Sequence, residues 1–388
     1  MNAFVPLPPN PACEACVIVP VRNEERRLHS ALTALYYQRF ARQRYEVIVL
    51  LNNCRDGSVS VAKNFQSAHP TFALHLVERE LPPAYANVGT ARRLLMDEAA
   101  RRLPNHGVIL STDGDSQVAV DWVSNNLEAI RAGADAVGGA IAFSRPEYDH
   151  LPASARHLMA ADAHYHRLAT LLESQVDPDP HDPWPRHHQH FGASLACRAS
   201  VYRRVGGLPH VDCLEDVAFI ESLARLDARV RHSPDVRVST APRLHGRVRV
   251  GLSSQLREWR SDPDWKVDSA AFLRHYFAYR AQLRKLWERQ YSANTRLLEQ
   301  IRSARTFGAL HAALDLRYRL WKSYPERLRS EPIEIAIQGL RRLTRRAVAR
   351  HPGGSVLHER SRWYPIPDGF ESSHVPDRPS LDSPLLWA

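Results

Sequence analysis

Asp113-Gly114-Asp115 places two carboxylates one residue apart at the end of the apolar run Val108–Thr112. Alternate side chains of an extended segment lie on one side, so both acids can face a single cation. Hard oxygen ligands of this kind suit Mg2+ or Mn2+. A cation held there can neutralise a diphosphate, a poor leaving group until its charge is compensated. The plainer reading is a tight turn with two solvated acids. A second acidic pair, Glu215-Asp216, is followed by Val217, Ile220 and Ala224 at helical spacing. It therefore falls in a first helical turn, where the dipole favours ionised carboxylates. Acids there are common caps, but an ionised acid beside a hydroxyl can also take its proton. A third group is Arg243-Leu244-His245-Gly246-Arg247, after the strand-like Val236–Ser239. His245 could complete a metal site while Arg243 and Arg247 bind phosphate oxygens. Against this, the chain holds 20 histidines, so a single one carries little weight.

The stretch from Asp177 to His190 sets His181, His187, His188 and His190 around Trp184. Clustered imidazoles suggest a second metal site, yet metal ligands need rigid supports behind them. Pro178, Pro180, Pro183 and Pro185 leave no helical or strand period here. A mobile lid is the expectation, with Trp184 stacking on a ligand. The stretch leads into Gly192-Ala193-Ser194, and closure would exclude water from a bound ligand.

These residues need a scaffold, and the first half of the chain supplies one by pattern. Ala15–Val19, Glu46–Leu51, Phe72–Val77 and Val108–Thr112 are short apolar runs of strand length. Between them lie helical periods: Leu28, Ala31, Leu32 and Leu35, then Ala91, Leu94, Leu95 and Ala99 within Val88–Arg102. Strands alternating with helices predict an α/β fold with a mostly parallel sheet. Ligands of such sheets sit beyond the carboxyl ends of the strands, where the polar turns fall. Residues 152–176 read as helical, and from about 253 the composition shifts to Arg, Trp and Tyr on helical periods. Phe272, Tyr276, Tyr279, Leu283 and Leu286 follow a near-heptad stripe, and the segment from His351 is rich in Pro, Ser and Gly.

With 388 residues, 44% hydrophobic and 24% charged, the chain is far from a disordered composition. No stretch reaches the roughly 18 apolar residues of a membrane span. The first residues lack the basic and apolar regions of a signal peptide. Five scattered cysteines make no disulfide framework, and Cys13-x-x-Cys16 has no second pair to complete a zinc site. A cytoplasmic location is expected. The net charge of +10 favours an anionic partner without choosing its kind.

Taken in order, Val17-Ile18-Val19-Pro20-Val21-Arg22-Asn23-Glu24-Glu25, Asn52-Asn53-Cys54-Arg55-Asp56-Gly57-Ser58, Gly89-Thr90-Ala91-Arg92, Asp113-Gly114-Asp115, Gly192-Ala193-Ser194-Leu195-Ala196 and Glu215-Asp216 resemble family 2 glycosyltransferases over roughly residues 14–250. The resemblance implies a GT-A-type fold, with a Rossmann-like nucleotide half at 14–116 and an acceptor half at 117–252. A helical accessory region at 253–350 and an extended tail at 351–388 would follow. It implies that Pro20, Val21 and Glu24 line the base and ribose pocket, that Asn53 reads the base and that Arg92 approaches the diphosphate. Asp115 would ligate a divalent cation (Mn2+ or Mg2+), with Asp113 on ribose or metal. Asp216 would be the catalytic base, with Glu215 beside it and Gly192 and Ala193 near the acceptor. The donor would be a UDP- or GDP-linked sugar. Asn52-Asn53 stands where aspartates are common in the family, and an amide can both donate and accept, so both bases stay open. The acceptor is unnamed, and the stereochemical outcome is expected to be inversion.

Two rivals carry other expectations. A nucleotidyltransferase of the same fold would need a glycine-rich phosphate loop after the first strand, where Pro20-Val21-Arg22-Asn23-Glu24 stands instead. A basic surface-binding protein without catalysis would use Arg341, Arg342, Arg345 and Arg346 beside Ile337, Leu340 and Leu343, a basic amphipathic helix. The same helix is compatible with peripheral contact at the inner membrane face, and the C-terminal helices with a homodimer. No nucleic-acid partner is expected.

Overall fold

The computed structural model describes residues 10–144, 148–242, 251–261, 265–288 and 303–348. Its strands are β1 (Ala15–Val21), β2 (Tyr45–Asn52), β3 (Leu74–Arg79), β4 (Val108–Ser111), β5 (Gln117–Val118), β6 (Ala136–Phe143), β7 (Leu195–Arg198) and β8 (Val230–Thr240). They form one sheet in the order β3-β2-β1-β4-β7-β6-β8-β5. β3, β2, β1 and β4 run parallel; β7 lies antiparallel between β4 and β6; β6 and β8 are parallel again, with β5 antiparallel at the edge. Val17, Ile18, Val19 and Val21 are all fully buried, which is why β1 reads as an unbroken apolar run. Such a strand is covered on both faces.

The covering helices of the first half are α1 (Leu28–Tyr36), α2 (Ser58–Ala68), α3 (Val88–Arg102) and α4 (Trp122–Arg131). Val17, Val19 and Val21 share a core with Leu28, Leu32, Ala62 and Trp122. Cys16 and Ile18 share the opposite core with Leu95, Met96 and Ala99 of α3. Burial pushes the Cys13 thiol up to about 12 and raises that of Cys16 well above its ordinary value, so both behave as buried packing groups. The expected α/β architecture, a mostly parallel sheet between helical layers with a helical C-terminal region, is thus present.

Further along come α5 (Ala153–Val176), α6 (Ala199–Val205), α7 (Glu215–Ala224), α8 (Leu252–Ser261), α9 (Ala270–Glu288), α10 (Phe307–Leu314), α11 (Leu316–Ser323) and α12 (Ile333–Val348). A small antiparallel pair joins β9 (Lys266–Asp268) and β10 (Ser330–Pro332). Leu158, Met159 and Leu168 of α5 pack with Leu256, Phe272, Tyr276, Ile333 and Leu340, so the core runs without a break across residue 252. The near-heptad stripe is mostly interior: Phe272, Tyr276 and Leu283 are buried, whereas Tyr279 and Leu286 are exposed. No described helix is long and apolar enough to cross a membrane.

Candidate active site

The carboxyl ends of β1, β2 and β4 lie side by side, and each ends in a polar turn. Asn23 and Asn53 take left-handed backbone angles, φ 55° and 52°, a conformation that asparagine tolerates better than most residues. The Asn53 amide is hydrogen-bonded within the turn. Its Oδ1 accepts from the Leu81 amide at 3.2 Å, and Nδ2 donates to Glu80 Oε1 and to the Leu81 carbonyl, both at 2.9 Å. The expected base reader thus shapes the turn after β3 and lines the cleft beside it. That turn, with Arg22, Pro82, Pro83 and Ala86, encloses a cleft of about 460 Å3. Glu80 stands at its edge, held by Arg55 Nη1 at 2.9 Å.

The Asp113-Gly114-Asp115 turn packs directly on the end of β1. A Cβ added at Gly114 would fall 2.8 Å from Val21 Cγ2, 3.4 Å from the Pro20 carbonyl and 3.5 Å from Glu24 Cγ. Pro20, Val21 and Glu24 thus form the back wall of the acidic turn, and Val21 and Glu24 are buried rather than open to a ligand. Thr112, just before the turn, is fully buried, and its hydroxyl has no hydrogen-bond partner among the described residues.

Arg92 is the centre of the site. It sits in the first turns of α3, whose N-cap Asn87 accepts from the Thr90 amide at 2.8 Å. The guanidinium is 3% exposed. Nη2 donates to Asp113 Oδ1 at 2.9 Å, Nε to Glu215 Oε1 at 3.0 Å, and Nη1 to Ser111 Oγ at 2.6 Å and to the Gly192 carbonyl at 3.0 Å. Burial works against its charge, but Asp113, Glu215 and Asp216 outweigh it and raise its pKa further. The geometry places Arg92 among these acids rather than out toward a diphosphate, the place the resemblance implied. Three carboxylates left in a dry site would repel one another, and the arginine compensates them.

Glu215 and Asp216 open α7, as the spacing predicts. Leu214 before them holds φ 57° and ψ 40°, an unusual conformation for a branched side chain and one found where backbone strain accompanies function. Asp216 Oδ2 accepts the Gly192 amide at 2.7 Å and Oδ1 the Val217 amide at 2.9 Å. Burial and the neighbouring Glu215 raise the Asp216 carboxyl above its ordinary value, with Arg92 opposing. Gly192 has no space for a side chain: a Cβ would lie 2.4 Å from Arg92 Cζ. Ser194 accepts from Trp122 Nε1 at 3.0 Å, leaving Ala193 partly exposed between two anchored residues.

The fit to a divalent cation is open to test on these atoms. Asp113 is one third exposed, and Arg92 engages only its Oδ1. Asp115 is partly exposed and accepts Ser116 Oγ at 3.3 Å. No group of three or more metal-ligating side chains occurs among the described residues. Two carboxylates fit Mg2+ or Mn2+, which are commonly held by one or two acids together with substrate phosphates. Arg243, His245 and Arg247 lie outside the described residues.

The loop from Asp177 to His190 differs from the expected lid. Asp182 is 2% exposed and accepts Arg186 at 2.8 Å, Arg231 at 2.9 Å and His232 Nδ1 at 2.7 Å. Gln189 pairs with both the amide and the carbonyl of Ile141 on β6, at 2.7 and 3.2 Å. At the loop's start Asp177 meets Arg284 at 3.2 Å and Arg280, and Glu173 meets Arg280 and Arg186, both at 2.7 Å. His187 faces the Ser233 carbonyl at 3.1 Å, His190 faces His232 at 3.2 Å, and His188 stacks on His166. The imidazoles are spent on packing and do not converge on a metal. Buried ion pairs fasten the loop, and Trp184 is partly exposed within it.

Residues 16–183 match the model of Glycosyl transferase family 2. Glycosyltransferase AglE of Haloferax volcanii is 31% identical over 132 residues, which make up 34% of this chain. The chain spans 40% of the length of that curated relative. Mannosyltransferase PcManGT from Pyrobaculum calidifontis, solved with GDP-Man and Mn2+, is 19% identical with a TM-score of 0.42, covering 90% of this chain and 84% of that one. S. aureus TarS 1-349, solved with UDP-GlcNAc, is 15% identical with a TM-score of 0.42, covering 87% of this chain and 92% of that one.

Proposed function

From the match of residues 16–183 to the model of Glycosyl transferase family 2, we propose that the chain moves a sugar from a nucleotide-diphosphate donor onto an acceptor hydroxyl. The observation that carries this reading is the single buried guanidinium of Arg92. It ties Asp113 of the acidic turn to Glu215, beside Asp216. Two acidic pairs far apart in sequence thereby become one constellation, with a charge-compensating side and a proton-accepting side.

In this reading the nucleoside lies toward the cleft at Arg22, Glu80 and Pro82, and the diphosphate lies over the acidic turn. Asp115, with Asp113 Oδ2, would hold Mn2+ or Mg2+, which supplies positive charge for the departing diphosphate. Arg92 holds Asp113 in place. Asp216 takes the proton of the acceptor hydroxyl; its oxygen forms the new bond to C1 as the bond to the diphosphate breaks. A raised carboxyl pKa strengthens this base. One displacement from the opposite face inverts the anomeric centre and needs no covalent intermediate. Gly192 and Ala193 border the acceptor side through the amide that holds Asp216. The cytoplasm is the compartment we assign.

The test is a panel of UDP- and GDP-sugars with Mn2+, read by thermal stabilisation and by slow release of nucleotide diphosphate to water. Neither readout needs the acceptor. One donor should stabilise the protein only with metal present, and it should be hydrolysed. A panel with no stabilisation and no release would count against transfer.

A further inference from the structure

The C-terminal helices carry cations that no other described residue pairs. α9 and α12 pack closely, and a Cβ at Gly339 would fall 2.7 Å from that of Ala270. Beside this contact runs a groove of about 550 Å3 with Ala271, Ala278 and Leu343 along it and Tyr324 as a wall. Its rim carries Arg274, His275 and Arg342, all exposed. Three other arginines of this region are paired: Arg280 and Arg284 with Asp177, and Arg317 with Asp268. Arg274 and Arg342 have no hydrogen-bond or ion-pair partner among the described residues.

Two uncompensated guanidinium groups beside an apolar trough call for a ligand with an anionic head joined to an apolar stem. Four apolar residues of α12, Ile333, Ala336, Ile337 and Leu340, are buried in the core shared with α5 and α9, while Leu343 of the same helix lies along the groove. Any approach to a membrane would therefore use the groove and not an embedded helix face. We propose that the groove receives an acidic phospholipid of a membrane surface. Its phosphate lies between Arg274 and Arg342, and the start of its acyl chains lies along Ala271, Ala278 and Leu343. This site stands apart from the transfer reaction.

Co-sedimentation of the full chain with vesicles tests it, using phosphatidylcholine alone or mixed with phosphatidylglycerol. Binding is expected only to the mixed vesicles. Arg274→Gln with Arg342→Gln should lower the partition coefficient by about tenfold or more, since each cation near an acidic surface contributes roughly fivefold. Ala271→Trp, which fills the groove without changing charge, should lower it as well. Arg319→Gln with Arg327→Gln, which neutralises two exposed arginines outside the groove, should leave most binding intact. Thermal unfolding confirms that each variant is folded, and donor hydrolysis is expected to be unchanged in all of them, which keeps this outcome separate from that of the transferase reading. Equal losses from the two arginine pairs, full binding by Ala271→Trp, or equal binding to neutral vesicles would each overturn the proposal.

Discussion

The amide of Gly192 donates to Asp216 Oδ2 at 2.7 Å, and no other described residue holds that oxygen. The carbonyl of the same residue receives Arg92 and Ser111. The two peptide groups flanking one glycine Cα thus join the proton-accepting acid to the arginine that compensates it. Gly138 and Gly139 on β6 let this segment come so close. A Cβ at Gly138 would lie 2.5 Å from the Gln189 carbonyl, and one at Gly139 would lie 2.1 Å from Ser194 Oγ.

Gly192→Ala should therefore act through Arg92. The added methyl would sit 2.4 Å from Arg92 Cζ, so the guanidinium must shift. Overpacking of this kind costs about 1–3 kcal/mol. We expect a lower unfolding temperature and a large drop in donor turnover. A variant with unchanged turnover would show that the Arg92 geometry is dispensable.

Arg92→Met should be worse for stability. It leaves Asp113, Glu215 and Asp216 without their shared cation, and breaking a buried pair from one side costs about 3–5 kcal/mol. Adding Glu215→Gln should recover part of that stability without restoring turnover. Chemical denaturation of the single and double variants measures both effects. Equal stability of the two would mean that Glu215 does not depend on Arg92.

Asp216→Asn separates activity from stability. Burial and Glu215 raise this carboxyl, so the native state binds its proton more tightly than the unfolded chain does. Its contribution to stability is greatest below the unfolded value and is lost as pH rises through the native one. At neutral pH the charge is a burden on folding, and the asparagine variant should unfold at a temperature no lower than the parent. Turnover should fall roughly 10²- to 10⁴-fold, with donor affinity nearly unchanged. In the parent enzyme, the acid limb of the turnover profile should lie above the usual carboxylate range. If donor affinity falls together with turnover, Asp216 belongs to the donor site.

The sequence made the acidic turn, the Glu215-Asp216 helix start and the first four strands legible, because each depends on local spacing. Val88–Arg102 is a helix with the expected bounds. What local spacing cannot carry is pairing across the chain. Arg92 meets groups 19, 100 and 123 residues away, so its role as a compensator of internal acids was hidden. The antiparallel β7, four residues long, has too short a pattern to announce itself. Ser111 and Leu214 were also missed. A polar residue closing an apolar strand was the only hint of Ser111, and nothing in the sequence marks the left-handed Leu214. The loop from Asp177 to His190 looked mobile for the same reason. Its prolines are local, while the arginines that hold it, Arg231 and Arg280, lie 49 and 103 residues from Asp182 and Asp177.

The fastening of that loop should depend on pH. Burial and neighbouring His232 push the imidazoles of His187 and His190 down to about 3. Groups lowered in this way stabilise the fold fully above the ordinary histidine value of 6.5 and lose that effect as pH falls toward 3. Asp182 adds a loss at the acid end, because despite its burial the His232 and Arg186 contacts hold it well below the usual carboxylate range. Backbone hydrogen exchange in the loop should be slow at neutral pH with or without donor and metal. It should accelerate as pH drops below about 6. Fast exchange at neutral pH that slows only on adding donor and Mn2+ would restore the lid.

Asp115→Asn tests the charge-compensating side. Asp115 is partly exposed at a turn and its carboxylate takes a long hydrogen bond from Ser116 Oγ, 3.3 Å, so an amide of the same shape should leave the fold and unfolding temperature intact. What the substitution removes is a full negative charge beside Asp113, whose Oδ1 is already committed to Arg92. The neutral side chain should weaken Mn2+ far more than it weakens the nucleotide. We expect turnover to be abolished and metal-dependent thermal stabilisation by the donor to vanish, while metal-free binding of the nucleotide persists. Asp113→Asn should differ, because it also unpairs Arg92 and should lower the unfolding temperature. Removing metal from the parent enzyme with excess EDTA should reproduce the Asp115→Asn behaviour, and restoring Mn2+ should rescue the parent but not the variant. Full turnover in EDTA, or an Asp115→Asn enzyme that works as well as the parent, would remove the divalent cation from the mechanism.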